Sequence, residues 1–172
     1  IKADACILTI LHSTIVKNMN SGIWTGNTST LNIENSIIYQ NGFSPSDQIV
    51  NGGSTRNVNY SLVEGGYTGT GNIDEDPLFQ DLSLNDFRLQ DYSQAIGSGN
   101  IDNTITTDID GNPRPNPAGS NPDIGAYENA LATPLHNSFI HVSTAGDDIG
   151  SVGTELAPFA TIQAAIDYSI SN

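Results

Sequence analysis

Three stretches of the first 63 residues can be written beneath one another: Leu8-Thr9-Ile10-Leu11-His12-Ser13-Thr14-Ile15, Leu31-Asn32-Ile33-Glu34-Asn35-Ser36-Ile37-Ile38 and Arg56-Asn57-Val58-Asn59-Tyr60-Ser61-Leu62-Val63. The serine recurs at positions 13, 36 and 61, in steps of 23 and 25 residues (36 − 13 and 61 − 36). Two apolar columns run with it, Ile10/Ile33/Val58 and Ile15/Ile38/Val63, and a turn-type column, Asn18/Asn41/Gly66, follows. A period of about 20–50 residues marks stacked architectures, and this one is short, β-branched and rich in turn residues. It predicts an all-β chain whose repeats are successive coils of a parallel β-helix.

The physics favours stacking. No single stretch is long or apolar enough to bury its own face. Once stacked, the Ile and Val columns form an internal ladder in which each side chain contributes roughly 1.5–3 kcal/mol of burial. The Asn/Gly column suits sharp corners, because both residues tolerate positive φ, and Asn amides can bond along the stack. An antiparallel sandwich is the alternative, but its turn signals recur about every 8–12 residues.

The chain has 172 residues and a formal charge of −14, from 19 acids against 5 bases. That excludes nucleic acid and anionic lipid as natural partners, since both require a basic patch. Lys2, Lys17, Arg56, Arg88 and Arg114 are scattered along the sequence. Cys6 is the single cysteine, so no internal disulfide forms, and a buried thiol is the expectation. No apolar run approaches the roughly 20 residues of a membrane span, which argues against membrane insertion. The sequence opens inside a repeat, without an initiator methionine or signal peptide, which points to a piece of a longer polypeptide.

Along the chain, Ile7 to Val16 reads as strand, and Asn18 to Gly22 as a turn. Trp24, the only tryptophan, is expected in core or edge packing. His12 falls in the bend column His12/Asn35/Tyr60, with no acid or second histidine near it in sequence. Gly42 to Asp47 is an insertion between coils. Asn27-Thr28-Ser29 and Asn59-Tyr60-Ser61 match the glycosylation acceptor pattern. The clean period is lost over 67–99, where short strands should finish the stack.

The phrases Asn35-Ser36-Ile37-Ile38, Tyr60-Ser61-Leu62-Val63-Glu64-Gly65-Gly66, Asp76-Pro77-Leu78-Phe79, Phe87-Arg88-Leu89, Asp108-Ile109-Asp110-Gly111-Asn112-Pro113-Arg114-Pro115 and Pro122-Asp123-Ile124-Gly125-Ala126-Tyr127-Glu128 occur in that order. Together they resemble the C-terminal end of bacterial secreted right-handed parallel β-helix proteins of the choice-of-anchor Q type. Asp91-Tyr92-Ser93-Gln94-Ala95-Ile96 departs from the usual Ser-Pro-Ala-Ile, which implies a local change of turn. After a linker at 129–137, Phe139 to Ser143 reads as a strand, Gly146 to Ser151 as a loop, and a helix begins near Thr161. Ile162, Ala165, Ile166 and Ile170 share one face of that helix. This second part resembles the N-terminal opening of pectate-lyase-like β-helices, in which such a helix caps the solenoid. The expected organisation is therefore 1–128 as closing coils, 129–137 as linker and 138–172 as a second opening. Ile162 and Ile166 are expected to be buried against the end of the first part.

No catalytic constellation is legible. A polyuronate lyase needs acids stacked on neighbouring coils beside a Lys or Arg base, but Glu34 and Glu64 occupy different columns, as do Lys17 and Arg56. Asp74, Glu75 and Asp76 read as turn residues. Asp108, Asp110 and Asn112 place hard oxygen donors at alternate positions around Gly111, which makes them candidates for Ca2+, and Asp147-Asp148 is a second, weaker place of that kind. A plain Asp-Gly turn is the simpler reading of the first. The resemblance implies a structural segment of a large extracellular or cell-surface multidomain protein: a stalk, filament or adhesin. Its partners would be neighbouring domains, like subunits or surface carbohydrate. The alternative is the non-catalytic part of a polysaccharide-lyase-like enzyme whose active coils lie outside this stretch.

Overall fold

The Ile/Val columns set the strand register. The structure, a computed structural model, describes residues 1–26, 28–101, 104–135, 140–149 and 158–171. Each of three successive passes supplies three strands: β1 (Lys2–Ala3), β2 (Ile7–Leu11) and β3 (Thr14–Val16); β4 (Ile23–Thr25), β5 (Thr30–Glu34) and β6 (Ile37–Tyr39); β7 (Ile49–Asn51), β8 (Thr55–Asn59) and β9 (Leu62–Val63). They assemble into three parallel sheets, β1-β4-β7, β2-β5-β8 and β3-β6-β9, so each sheet takes one strand from each pass. Ile10 pairs with Ile33 and Ile33 with Val58, while Ile15 pairs with Ile38 and Ile38 with Val63. These residues, with Ile23, Leu31 and Ile49, make one buried core.

Polar columns stack in the same register. The Ser36 hydroxyl accepts from Ser13 N at 3.1 Å, and the Ser61 hydroxyl from Ser36 N at 3.2 Å. Each of the three serines also donates to the carbonyl two residues back. Asn18 donates its side-chain amide to Asn41 Oδ1 at 2.7 Å, and Asn57 to Asn32 Oδ1 at 2.8 Å. The corners differ from expectation. Positive φ falls at Ala5/Thr28/Gly53, at His12/Asn35/Tyr60 and at Lys17/Gln40/Gly65, the last set one residue ahead of the Asn18/Asn41/Gly66 column, of which Gly66 alone has the expected positive φ. Asn18 and Asn41 serve the stack through their side chains, and the left-handed turn is imposed on Lys17 and Gln40.

The last rung is finished from above. Ile73 bridges Leu62 in parallel, and Tyr60 N donates to Thr70 O at 2.7 Å. Arg56 occupies the interior column of Leu8 and Leu31, and its guanidinium lies 5.4 Å from the Tyr67 ring, which packs on the core. Residues 79–89 then form an antiparallel pair, β10 (Phe79–Asp81) with β11 (Asp86–Leu89), in place of a further parallel rung. A second core joins Phe79, Leu89, Ala95, Ile96 and Ile124 to Ile37 and Leu62. Sheet β3-β6-β9 is thus buried on both faces, Ile38 and Val63 on one and Ile37 and Leu62 on the other.

The chain divides into two compact units, Ile1–Leu135 and His136–Asn172. Residues 129–135, read as linker, are held within the first: Leu131 packs on the second core, and Leu135 N donates to Asp91 O at 2.7 Å. In the second unit, the expected strand from Phe139 to Ser143 reduces to one bridge between Val142 and Phe159, Phe139 itself lying outside the described residues. Gly150 and Ser151 of the expected loop, and Asn27 of the first glycosylation pattern, lie outside them too. Helix α1 (Ile162–Ser171) starts where expected. Thr161 Oγ1 accepts from Ala164 N, and Asp148 accepts from Ala160 N, Thr161 N and Thr161 Oγ1. The predicted burial of its isoleucines is not observed. Ile162 and Ile166 are 70% and 45% exposed, and only Ala165 of that face is buried; the Ile170 side chain lies outside the described part. The helix N-terminus is fastened to the preceding loop through Asp148. Cys6 is exposed as well, because it lies in the bend after left-handed Ala5 and ahead of β2. Trp24 is half-buried on sheet β1-β4-β7, with Lys2 Nζ 4.8 Å above its ring. No helix of the described residues is long and apolar enough to cross a membrane.

Since Ile33 is the central residue of the inner ladder, Ile33→Ala should lower the unfolding free energy of the first unit by roughly 2–5 kcal/mol. Ile7→Ala, at a 75% exposed site on β2, should change it by no more than about 0.5 kcal/mol. Chemical denaturation of the two variants checks this; equal effects would contradict the ladder.

Candidate functional site

The densest group of buried charge lies where the closing segment meets the strand ends of the first pass. Asp123 and Ile124 arrive beside Ala95 and Gly97: Ile124 N donates to Ala95 O at 2.9 Å, and Gly97 N to Asp123 Oδ1 at 2.8 Å. Gly125, at φ +115°, comes so close to Ile37 and Thr14 that a Cβ would lie 2.9 Å from Ile37 Cδ1. Its N–H donates to Asn35 O, and Ala126 N donates to Thr14 Oγ1 at 3.0 Å. Glu128 then turns back, accepting from Asp123 N and Asn116 N at 3.0 Å each.

Arg114 occupies the centre. Its Nη1 is 3.2 Å from Glu128 Oε1 and donates to Gly125 O at 3.2 Å and to His12 Nδ1. The other ring nitrogen of His12 is 3.1 Å from the Asn35 side-chain amide, which donates to Asn100 O at 2.8 Å. The Arg114 and Glu128 side chains are 2% and 0% exposed. Arg114 Nε is buried without a hydrogen-bond partner, a cost of about 1–3 kcal/mol. A cleft of ≈ 410 Å3 opens beside the group, lined among others by His12, Thr14, Thr107, Asp108 and Arg114.

The cluster sets three carboxyls against one guanidinium. Burial pushes Asp123 up to about 7, against the pull of the Asn129 and Gly97 N–H groups. Burial also raises Glu128, with Arg114 opposing. Asp108 is held below its ordinary range: burial raises it, but its Asn112, Glu128 and Asp110 donors outweigh that.

The calcium candidates are joined by hydrogen bonds centred on Asp108. Asp108 Oδ1 accepts from Asp110 N and Asn112 N, and Oδ2 from the Asn112 amide and Glu128 N, all at 2.8–3.0 Å. Its four lone pairs already face donors. Asn112 turns its N–H groups toward the carboxylate, where a cation would need its oxygen. These bonds fit a turn that fastens Glu128. Among the described residues no group of three or more His, Cys, Asp or Glu side chains is placed to hold a metal. Asp147 and Asp148 accept backbone N–H groups of their own loop and of the α1 start. Asp74 and Asp76 likewise accept from Gly65 N and Leu78 N. In the strand register, Glu34 lies between Leu11 and Asn59, and Arg56 beside Leu31, so neither shares its column with a second acid or base.

Sequence reasoning missed His12 with Arg114, which are 102 residues apart. It also missed Glu128 and Asp123 as buried acids. One signal was available: with only five bases in the chain, an arginine beside two prolines in an ordered closing phrase has a specific partner. Searches against protein-family models, curated proteins and solved structures find no match to this chain.

The excess of buried carboxyls makes stability depend on pH. In the folded unit Asp123 keeps a proton that the unfolded chain loses between about pH 4 and 7, so ionisation favours unfolding across that window. The unfolding free energy should fall as pH rises from 5 to 7, by at most about 1.4 kcal/mol per pH unit for this group. Asp123→Asn should flatten the slope. A wild-type profile without slope over that range would contradict this reading of the cluster.

Proposed function

We propose that the first unit is the terminal part of a right-handed parallel β-helix, resembling the C-terminal ends of bacterial secreted β-helix proteins. The chain then serves as a structural segment of a larger extracellular or cell-surface protein, a stalk, filament or adhesin. The observation that carries this is the shared register of the three sheets, each built from one strand per pass. At one end of the stack the last rung is covered by Tyr67, Thr70 and Ile73, which suits the end of a solenoid. The buried acids of the closing segment are spent on backbone donors, which suits fastening. The second unit, with its N-capped helix, is read as the opening of another such domain.

Incubation with polygalacturonate, with and without Ca2+, should give no ultraviolet-absorbing unsaturated product. Turnover that disappears in Arg56→Ala or Arg88→Ala would replace the structural reading by the lyase alternative.

A further inference from the structure

The insertion between β6 and β7 has a constructed geometry that the scaffold itself does not need. Ser44 and Asp47 form a capping box around the 3-10 helix Pro45–Asp47. Asp47 Oδ2 accepts from Phe43 N and Ser44 N at 2.9 and 3.0 Å. Gly42 N donates to Asn18 O at 2.7 Å, and Gly22 N to Asp47 O at 3.0 Å, which ties both ends of the loop to the preceding pass. At Gly42, φ +68°, a Cβ would lie 2.2 Å from Asn20 O, so the approach requires glycine. The result is a fixed loop that holds one phenyl ring, Phe43, at 92% exposure. Folding gains nothing from an apolar ring left in water.

Beside that ring is a pocket of ≈ 320 Å3, lined by Gln40, Asn41, Phe43, Ser44, Pro45 and Glu64, with Gly42 between them. Glu64 is held in place by buried Gln48, whose Nε2 donates to Glu64 Oε2 at 2.7 Å. Gln40 N donates to the same oxygen at 2.8 Å. Both bonds land on Oε2, so Oε1 is the oxygen left for an incoming donor. An exposed aromatic face beside a positioned carboxylate and the Gln40 side-chain amide matches a sugar ring, with its apolar C–H face and its hydroxyl edge. No cation lines the pocket, and the chain carries −14, so an acidic sugar would meet Glu64 without compensation.

We propose that Phe43, with Gln40 and Glu64, forms a binding ledge for one pyranose ring of a neutral oligosaccharide. Phe43 stacks on the ring, Glu64 Oε1 accepts a hydrogen bond from a hydroxyl, and the capping box fixes the backbone that carries the aromatic before the ligand arrives. This site is independent of whether the stack carries further rungs.

The test is a backbone-amide NMR titration of the 172-residue chain with cellohexaose, maltohexaose and trigalacturonate. At least one neutral hexasaccharide should give saturable shifts centred on residues 42–47 and 64, and trigalacturonate should give none there. Phe43→Ala should weaken binding about tenfold, the scale of one lost aromatic contact, with an unchanged melting temperature, and Phe43→Trp should retain it. The proposal is overturned by the absence of saturable shifts with both neutral sugars, by shifts that map elsewhere, by equal binding of trigalacturonate, or by full binding in Phe43→Ala.

Discussion

Burial of one sheet from both sides is the constraint on which the rest of the first unit depends. In β3-β6-β9, Ile38 and Val63 face the stack interior, and Ile37 and Leu62 face the closing segment. Each outward residue contributes roughly 1.5–3 kcal/mol only if something apolar returns to cover it. Phe79, Leu89, Ala95, Ile96 and Ile124 do so. To reach that face the chain must carry a backbone segment into the interior, and its polar groups need partners there. The carboxylates of Asp108, Asp123 and Glu128 supply acceptors for those N–H groups. Arg114 follows from the acids, since buried carboxylates without a counter-charge are costly.

The same balance recurs at the corners. Each pass turns through at least three left-handed residues, and those with side chains cost about 1–2 kcal/mol apiece. His12, Asn35 and Tyr60 are each followed by the serine that joins the ladder, and Lys17 and Gln40 by the asparagine that does so. Bonds between passes therefore sit beside the strained residues, and neither feature is favourable without the other. The insertion at Phe43 departs from this economy, since its bonds hold an apolar ring in solvent.

The parallel pairing was legible because the Ile/Val spacing and the strand period are the same physical quantity. A residue slipped by one would turn every core side chain outward. The two-faced sheet was legible too, in the doublets Ile37-Ile38 and Leu62-Val63, although one column alone drew attention. The left-handed corners were not, because Lys17, Gln40 and Tyr60 have no local preference for that conformation and adopt it under the stack. Asp108-x-Asp110-Gly111-Asn112 was ambiguous by nature: a calcium loop and an Asx turn share the residue pattern. The donor from Glu128, 20 residues away, lies outside that pattern. The contact of His12 with Arg114 has no local pattern. The exposed Ile162 and Ile166 show that an apolar stripe predicts a helix without predicting what covers it.

Hydrogen exchange under native conditions tests most directly whether the closing segment is integral to the stack. The amides of Ile37, Leu62 and Val63 bond along the sheet, and those of Ile124, Gly125 and Ala126 bond to Ala95, Asn35 and Thr14. If the returning segment buries the outer face of β3-β6-β9, both sets should exchange through one shared opening with one free energy. Exchange of Ile124–Ala126 with little protection, while the sheet amides remain protected, would contradict the dependence of the fold on its closing segment.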